Sequence, residues 1–483
     1  MHSKTLSILV VLAVACNPAA ADQTYTVSSS TSWGVWQGWG VSLAWWAKKF
    51  GTRTDLSQLF FSTASTTYNG QSVPGLGFNI VRYNAGACST NTYGGVKMVL
   101  SPNIKASRQI DGFWLDWGST DPTSSSWNWN VDQNQRTAMQ NAKNSGANRF
   151  QLFSNSPMWW MLKNKNPSGS SDGSENIQSW NLQDHATYLA TVAKYAKTNW
   201  GINFESVEPF NEPSASWWKA DGTQEGCRIN VATQSQIIGY LRTALNNQGL
   251  SSVQIAASDE NSYDVAKSTW SGLTSTAKSQ VNQLHVHGYQ QASGDRVGVY
   301  NYAIGAGKTL WNSEYGESDA SGASLASNLI LDFRWLRPVA WVYWQAIDGG
   351  GWGLIDGNND AGTLGAVSQK YYILAHFTRH IREGMTILDG GSDSVVAAYD
   401  ANRRKLVIVA VNWSSAGQYL NFDLSRFTGV TNGATVPRWS SQLTSGGTRY
   451  ASFPSDTTIS GTKFWSYFGS REIQTFEISG ISR

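Results

Sequence analysis

The sequence is poor in charge, cysteine, histidine and long apolar runs, and each shortage narrows what the chain can be. Asp, Glu, Lys and Arg make up only 14% of the 483 residues, and the net charge is +3. So small a charge on so long a chain points away from nucleic acid and from membrane surfaces as partners. Histidines number six and cysteines three, too few for a protein built around several metal centres. No stretch is apolar for long enough to cross a bilayer, the best candidate being Leu6 to Cys16 near the start.

That short run has a different meaning. His2 and Lys4 precede it, and Ala19-Ala20-Ala21 supplies small residues just beyond it. The arrangement reads as a secretory signal peptide over residues 1–21, cut after Ala21, and so as an exported protein. A lipid anchor on Cys16 is disfavoured, because Ala13-Val14-Ala15 lacks the large residue usual before such a cysteine. Cleavage leaves Cys88 and Cys227 as a candidate disulfide, although their spacing alone does not bring them into contact. Asn412-Trp-Ser414 is a glycosylation sequon, of consequence only in a eukaryotic host.

What the chain has in excess is aromatic rings: 24 Trp, 19 Tyr and 17 Phe. Rings on this scale serve either a Trp-rich core or a surface on which sugar rings stack, and composition leaves both open. With 41% hydrophobic residues a sizeable core is available, and the length suits one large domain plus a smaller one.

From about residue 75 to 380, short apolar runs alternate with segments of helical period. LGFNIVRYN (76–84) and ANRFQLFSNSP (147–157) read as strands, with the helix-like DQNQRTAMQNAKNSG (132–146) between them. Counting GWGVSLAWW as the first unit, the alternation repeats about eight times, which implies an α/β fold, a (β/α)8 TIM barrel. A doubly wound sheet would want a Gly-rich phosphate turn after its first strand, and none is present. Beyond residue 385 the pattern becomes alternating strands without long helices, as does TYTVSSSTSWGVWQG near the start. The expected domains are therefore a catalytic barrel over 39–384 and a fused β-sandwich side domain built from 22–38 plus 385–483.

In such a barrel the chemistry gathers at the C-terminal ends of the strands. Polar and aromatic residues recur there: Arg82 with Asn84, Asn155 to Trp160, Asn211-Glu212, His287 with Tyr289, Glu314-Tyr315 and Trp344-Gln345. Glu212 and Glu314 fall at the ends of strands four and seven, facing one another across the mouth. Two opposed carboxylates can split a glycosidic bond, one protonating the leaving oxygen and the other attacking the anomeric carbon. Glu208, two residues of one face below, reads as a buried and paired barrel residue, and Asp259-Glu260 as subsite-lining at most. His285 and His287 share a face as a metal pair would, but no carboxylate cluster is evident in the sequence to complete a site, so no metal and no cofactor is expected. His376 and His380 lack the glutamate of a zinc protease and read as helix-surface or packing residues. Trp33 and Trp36 read as domain-interface packing, and Trp217 and Trp218 are expected at the cleft rim.

These motifs resemble the retaining glycoside hydrolases of clan A, and the set is similar to glycoside hydrolase family 30. The resemblance rests on GWGVSLAWW, RYNAGACS, SNSPMWWM, NEP, VHGY, SEYG and FTRHIREGM followed by a β-domain, and it spans almost the whole chain. It implies Glu212 as acid/base and Glu314 as nucleophile. It further implies that Asn211 holds a sugar hydroxyl, that Tyr289 orients Glu314 and that Arg82 stabilises its charge. Trp344 would floor the subsite, and Asn84, Asn155, Trp159 and His287 would line it. Residues 341–357 contain no Lys or Arg, unlike glucuronoxylan-specific relatives, which grip a carboxylate there. NSEYGES with YWQAIDGGGWG looks most like the endo-β-1,6-galactanase branch, which implies a polysaccharide substrate, the β-1,6-galactan of arabinogalactan, and a secreted monomer. β-1,6-Glucanase and xylanase are the alternatives within the family. A non-catalytic carbohydrate-binding protein is the alternative outside it, though a pure binder needs neither glutamate.

Overall fold

A computed structural model describes residues 23–483, so the proposed signal peptide lies outside the described residues. Eight parallel strands close into a barrel: β1 (Gly38–Ser42), β2 (Ile80–Asn84), β3 (Arg149–Phe153), β4 (Ser206–Glu208), β5 (Gln254–Glu260), β6 (Gln283–His287), β7 (Thr309–Tyr315) and β8 (Ala340–Tyr343). Each strand pairs with the next in chain order, and β8 pairs with β1 through Ala340 to Tyr343 against Gly38 to Val41. Helices such as Gln133–Ser145, Leu182–Tyr195 and Val231–Asn247 connect successive strands. Covered on both faces, the strands are almost wholly buried and read as continuous rather than alternating runs.

The barrel interior is apolar only at its base, where Ile80, Trp311, Ala340 and Val342 cluster. Above that plug it turns polar, with Arg82, Gln151, Glu208 and His285 all buried. Buried polar groups cost free energy unless paired: the Gln151 amide meets His285 Nδ1 at 3.0 Å, whereas both oxygens of Glu208, expected to be paired, lack a hydrogen-bond partner among the described residues. The column leads up to the mouth.

Apart from three two-stranded ribbons, the remaining strands form two sheets. Ser32–Val35 joins a seven-stranded antiparallel sheet with strands from Thr386 onward, and Gln23–Thr26 pairs in parallel with Gln418–Asp423 in a three-stranded sheet. Leu406, Ile408, Phe422, Phe464 and Phe476 fill the space between them. The final barrel helix, Gln369–Thr378, is buried along its length against this unit. His376 sits at that seam, its two ring nitrogens 2.8 Å from Thr475 Oγ1 and 2.9 Å from Ser441 Oγ. His380 Nδ1 is 2.8 Å from Glu477. Burial holds both imidazoles below their usual range, so they serve as neutral hydrogen-bonding partners. Trp36 packs on Trp39 and Phe333 with no exposed surface.

The candidate disulfide is corrected by the structure. Cys88 and Cys227 are both free and buried. The Cys88 thiol faces Glu225 at 3.3 Å, and the Cys227 thiol donates to the Arg228 carbonyl at 3.5 Å. Burial pushes both thiols up, Cys227 to about 12, which keeps them protonated and unreactive. In a chain lacking the first 21 residues, a thiol reagent is expected to label neither cysteine until denaturant is added, and then both without reductant. Labelling that requires reductant would restore the bridge. The sequon is likewise closed: Asn412 is buried, and its amide donates to the carbonyls of Ala416 and Gly469 at 2.9 and 2.8 Å. Among the described residues no helix is long and apolar enough to cross a membrane.

Candidate active site

Arg82 on β2 projects into the barrel with its guanidinium 3.5 Å from the centroid of Phe153. Both terminal nitrogens of its fork are used, while the buried Nε has no partner among the described residues. One nitrogen donates to Glu314 Oε2 at 2.5 Å, and the other to Asp259 Oδ2 at 2.6 Å and Asn211 Oδ1 at 3.0 Å. Glu314, on β7, takes a second donor from the Tyr289 hydroxyl at 2.8 Å. Glu212 follows β4 in a left-handed conformation (φ 48°), its N–H donating to the Asp259 carbonyl at 2.8 Å. Its Oε1 accepts from Asn261 Nδ2 at 2.8 Å and lies 3.1 Å from His287 Nδ1. One oxygen of Glu212, one of Glu314 and a ring nitrogen of His287 all lie within 4.8 Å of one another.

His287 is the hub of the charge pattern. Its other nitrogen lies 3.0 Å from Asp259 Oδ1. Burial disfavours the imidazolium, but the charges of Glu314 and Asp259 outweigh it and push His287 up to about 10. Burial also works against the Asp259 charge, but Arg82 and His287 together hold that carboxyl far below the usual range. Glu314 is raised by burial, while His287 and Arg82 pull it back down. Lower in the barrel, Glu208 lies 3.2 Å from His285 Nδ1, and burial with the Asp259 charge pushes its carboxyl well above the ordinary value. It is held as a neutral acid.

Above this network opens a cleft of about 760 Å³, lined by Asn211, Glu212, Tyr289, Glu314 and Trp344 and walled by Trp45, Trp217 and Trp352. Trp45 and Trp344 meet edge to face at 4.9 Å. Trp217 is 52% exposed at the rim, as expected, and Trp218 also lines the cleft but is nearly buried, its indole donating to the Glu212 carbonyl at 2.9 Å. Trp218 therefore pins the loop that carries Glu212, and it rests on Gly226, where a Cβ would come within 2.0 Å of the ring.

Several expected lining residues lie elsewhere. Asn84 is buried and donates to Glu225 at 3.1 Å. Glu225 also accepts from the Ala87 and Ile110 amides, so it clasps the loop after β4 over the end of β2 and covers Asn84. Trp159 has no exposed surface, its indole donating to Ser89 Oγ at 2.6 Å. Asn155 is 2% exposed, and its side-chain amide has no hydrogen-bond partner. His287 lies beneath the two glutamates rather than on the wall. Carboxylates do surround both barrel histidines, contrary to expectation: Glu208 and Asp259 near His285, Glu212 and Glu314 near His287. At His287 they stabilise a proton where a metal would need a lone pair.

Sequence reasoning missed Trp45, Trp352, Asn261 and Arg108 as cleft residues, and Asp259 as the anion between Arg82 and His287. Trp45 stood inside a flagged motif, and Asn261 directly follows Asp259-Glu260. Arg108 carries no local signal. It reaches the cleft from the long loop after β2, 4.2 Å over the Trp45 ring and 3.3 Å from Thr223 Oγ1, and brings a cation that residues 341–357 lack.

The model of the O-Glycosyl hydrolase family 30 matches residues 14–305. The chain belongs to glycoside hydrolase family 30. It is a glycoside hydrolase, and relatives of the family share both its sequence and its shape. An endo-beta-1,6-galactanase of Hypocrea rufa is 59% identical over 473 residues, covering 98% of each chain. A glucuronoxylanase of Bacillus subtilis (strain 168) is 25% identical over 328 residues, covering 61% of this chain and 66% of its own. Among solved structures, the catalytic domain of a family 30 xylanase C from Talaromyces cellulolyticus superposes with a TM-score of 0.70 at 19% identity, covering 95% of this chain and 100% of that one.

Proposed function

We propose that this family 30 enzyme is a secreted endo-β-1,6-galactanase that cleaves the galactan of arabinogalactan with retention of anomeric configuration. The observation that carries the substrate is the 59% identity to the Hypocrea rufa galactanase along 98% of both chains. The mechanism is supported by the carboxylate spacing. Retaining enzymes hold their two carboxyl groups about 5–5.5 Å apart, inverting ones about 6.5–9.5 Å, and here one oxygen of each glutamate lies within 4.8 Å of the other.

In this reading Glu314 attacks the anomeric carbon while Glu212 gives its proton to the departing glycosidic oxygen. The product of that step is a galactosyl ester of Glu314 and a shortened chain. Glu212, now ionised, takes a proton from water, whose oxygen displaces Glu314 and regenerates both groups. Of two carboxyls this close, only one ionises freely. Arg82 and Tyr289 donate to Glu314 and not to Glu212, which favours Glu314 as the resting anion. Asn211, at the cleft surface with its Oδ1 taken by Arg82, keeps its amide N–H free for a sugar hydroxyl. Trp344 and Trp45 offer apolar faces to the sugar rings.

Residues 39–384 would then be the catalytic unit and 22–38 with 385–483 its side domain, in a monomer. Export rests on the pattern from His2 to Ala21, and a secreted protein beginning at Asp22 would bear it out. The substrate is tested by incubating the enzyme with β-1,6-galactan and β-1,6-glucan side by side. New reducing ends, mostly as short oligomers, are expected from the galactan and at least about tenfold fewer from the glucan, the scale on which a hydroxyl-reading site discriminates. Equal release from both would overturn the galactan assignment, and release from neither would point to another polysaccharide, such as xylan.

A further inference from the structure

We infer that Asp259 is the positioning residue that fixes the geometry and charge of both catalytic carboxylates at once, an inference that rests on the roles given above to Glu212 and Glu314. The local backbone explains how it comes to do so. Along β5, Ser258 pairs with His285 and Glu260 with Val286, so Asp259 is an extra residue bulged out of the ladder. A bulge re-aims a side chain. Its left-handed backbone (φ 59°) turns the carboxylate into the barrel, where it is fully buried.

Three connections then meet on this one residue. Through Oδ2 it holds the Arg82 nitrogen that neighbours the one on Glu314, at 2.6 Å. Oδ1 lies 3.0 Å from His287 Nε2, whose opposite nitrogen faces Glu212, and accepts from Ser313 Oγ at 2.5 Å. Its main-chain carbonyl accepts the Glu212 N–H at 2.8 Å, tying the left-handed turn at Glu212 to the one at Asp259. Each catalytic carboxylate is thus touched by a cation, and Asp259 lies behind both, hydrogen-bonded to Arg82 and 3.0 Å from His287. The charges close as well. Arg82 and His287 are matched by the two carboxylates of Asp259 and Glu314 that lie against them.

The groups facing His287 are Asp259 from β5, Glu212 after β4, Glu314 from β7 at 3.6 Å and the Tyr289 ring at 5.8 Å, with His285 and Arg82 farther off. Removing the Asp259 charge takes away one of the two main anions that keep the imidazolium charged. A merely structural ion pair would alter stability and leave the imidazole and kcat alone.

The test is Asp259→Asn in the full chain, which keeps the shape and removes the charge. The kcat on β-1,6-galactan is expected to fall about 100-fold or more, the scale on which misplaced reacting groups act, with KM changed less than about threefold. In histidine-labelled NMR spectra, His287 of the wild type is expected to stay doubly protonated at pH 8 and that of the variant to lose a proton there. A variant with wild-type kcat, or with an unchanged His287 titration, overturns the inference. If Asp259→Asn does not fold, Ser313→Ala removes one contact to the carboxylate and should lower kcat by about tenfold; unaltered kcat there overturns it equally. Glu314→Ala run alongside separates the two claims. An inactive Glu314→Ala with an active Asp259→Asn sinks the positioning role alone, whereas an active Glu314→Ala removes the carboxylate roles and this inference with them.

Discussion

Replacing Glu314 with alanine is expected to lower kcat on β-1,6-galactan by about four orders of magnitude or more, the scale of losing a covalent nucleophile. The fold should survive, for a physical reason. Breaking a buried ion pair is usually costly because the remaining charge is left unpaired. Here Arg82 keeps Asp259 at 2.6 Å and Asn211 at 3.0 Å when Glu314 is gone, so its charge stays compensated. Glu314 is itself raised by burial, so its removal also relieves a desolvation cost. Thermal unfolding should therefore shift by only a few degrees. Azide added to the variant offers a small anion for the vacated space and should restore part of the turnover on an activated aryl galactoside, forming the α-galactosyl azide. Near-normal activity without azide would remove the nucleophile assignment.

Glu212→Gln separates the second role from the first. On the polysaccharide, whose leaving oxygen needs a proton, kcat should fall by about 10²–10⁴-fold. On an aryl galactoside with a good leaving group, the first step needs no acid, so the loss in kcat/KM should be at least about tenfold smaller. The glutamine keeps an oxygen to accept from Asn261 and His287, which hold Oε1 at 2.8 and 3.1 Å, so the side chain should stay in place. Equal losses on the two substrates would contradict a proton-donating role and point to a binding one.

Much of the barrel was legible because its signals are local. LGFNIVRYN and ANRFQLFSNSP alternate with helices of clear period, and the strand ends announce themselves by abrupt polarity. β2 and β3 fall inside the segments read as strands. The pairing of residues near the start with the sheet from Thr386 onward was also open to reading, since both stretches alternate with period two. The glutamates stood out because NEP and SEYG recur at strand ends. What sequence could not convey is how far each strand end rises toward solvent. Asn84 follows the same pattern as Tyr289 and Trp344, yet the loop held by Glu225 folds over it. Clasps of that kind join residues more than a hundred positions apart and leave no periodic trace. Asp259 was hidden for a related reason. A bulge of one residue decides which of Ser258, Asp259 and Glu260 points inward, and alternation counted along the strand gives no sign of it. The cysteines show the same limit, since an even number permits a bridge but only their separate buried settings exclude it.

The most direct test is proton NMR of the reducing ends during the first minutes of β-1,6-galactan digestion. Retention by Glu314 and Glu212 requires that the β-anomer appear first, with the α-anomer growing in later by mutarotation. First appearance of the α-anomer would mean single displacement by water, and would contradict a covalent role for Glu314.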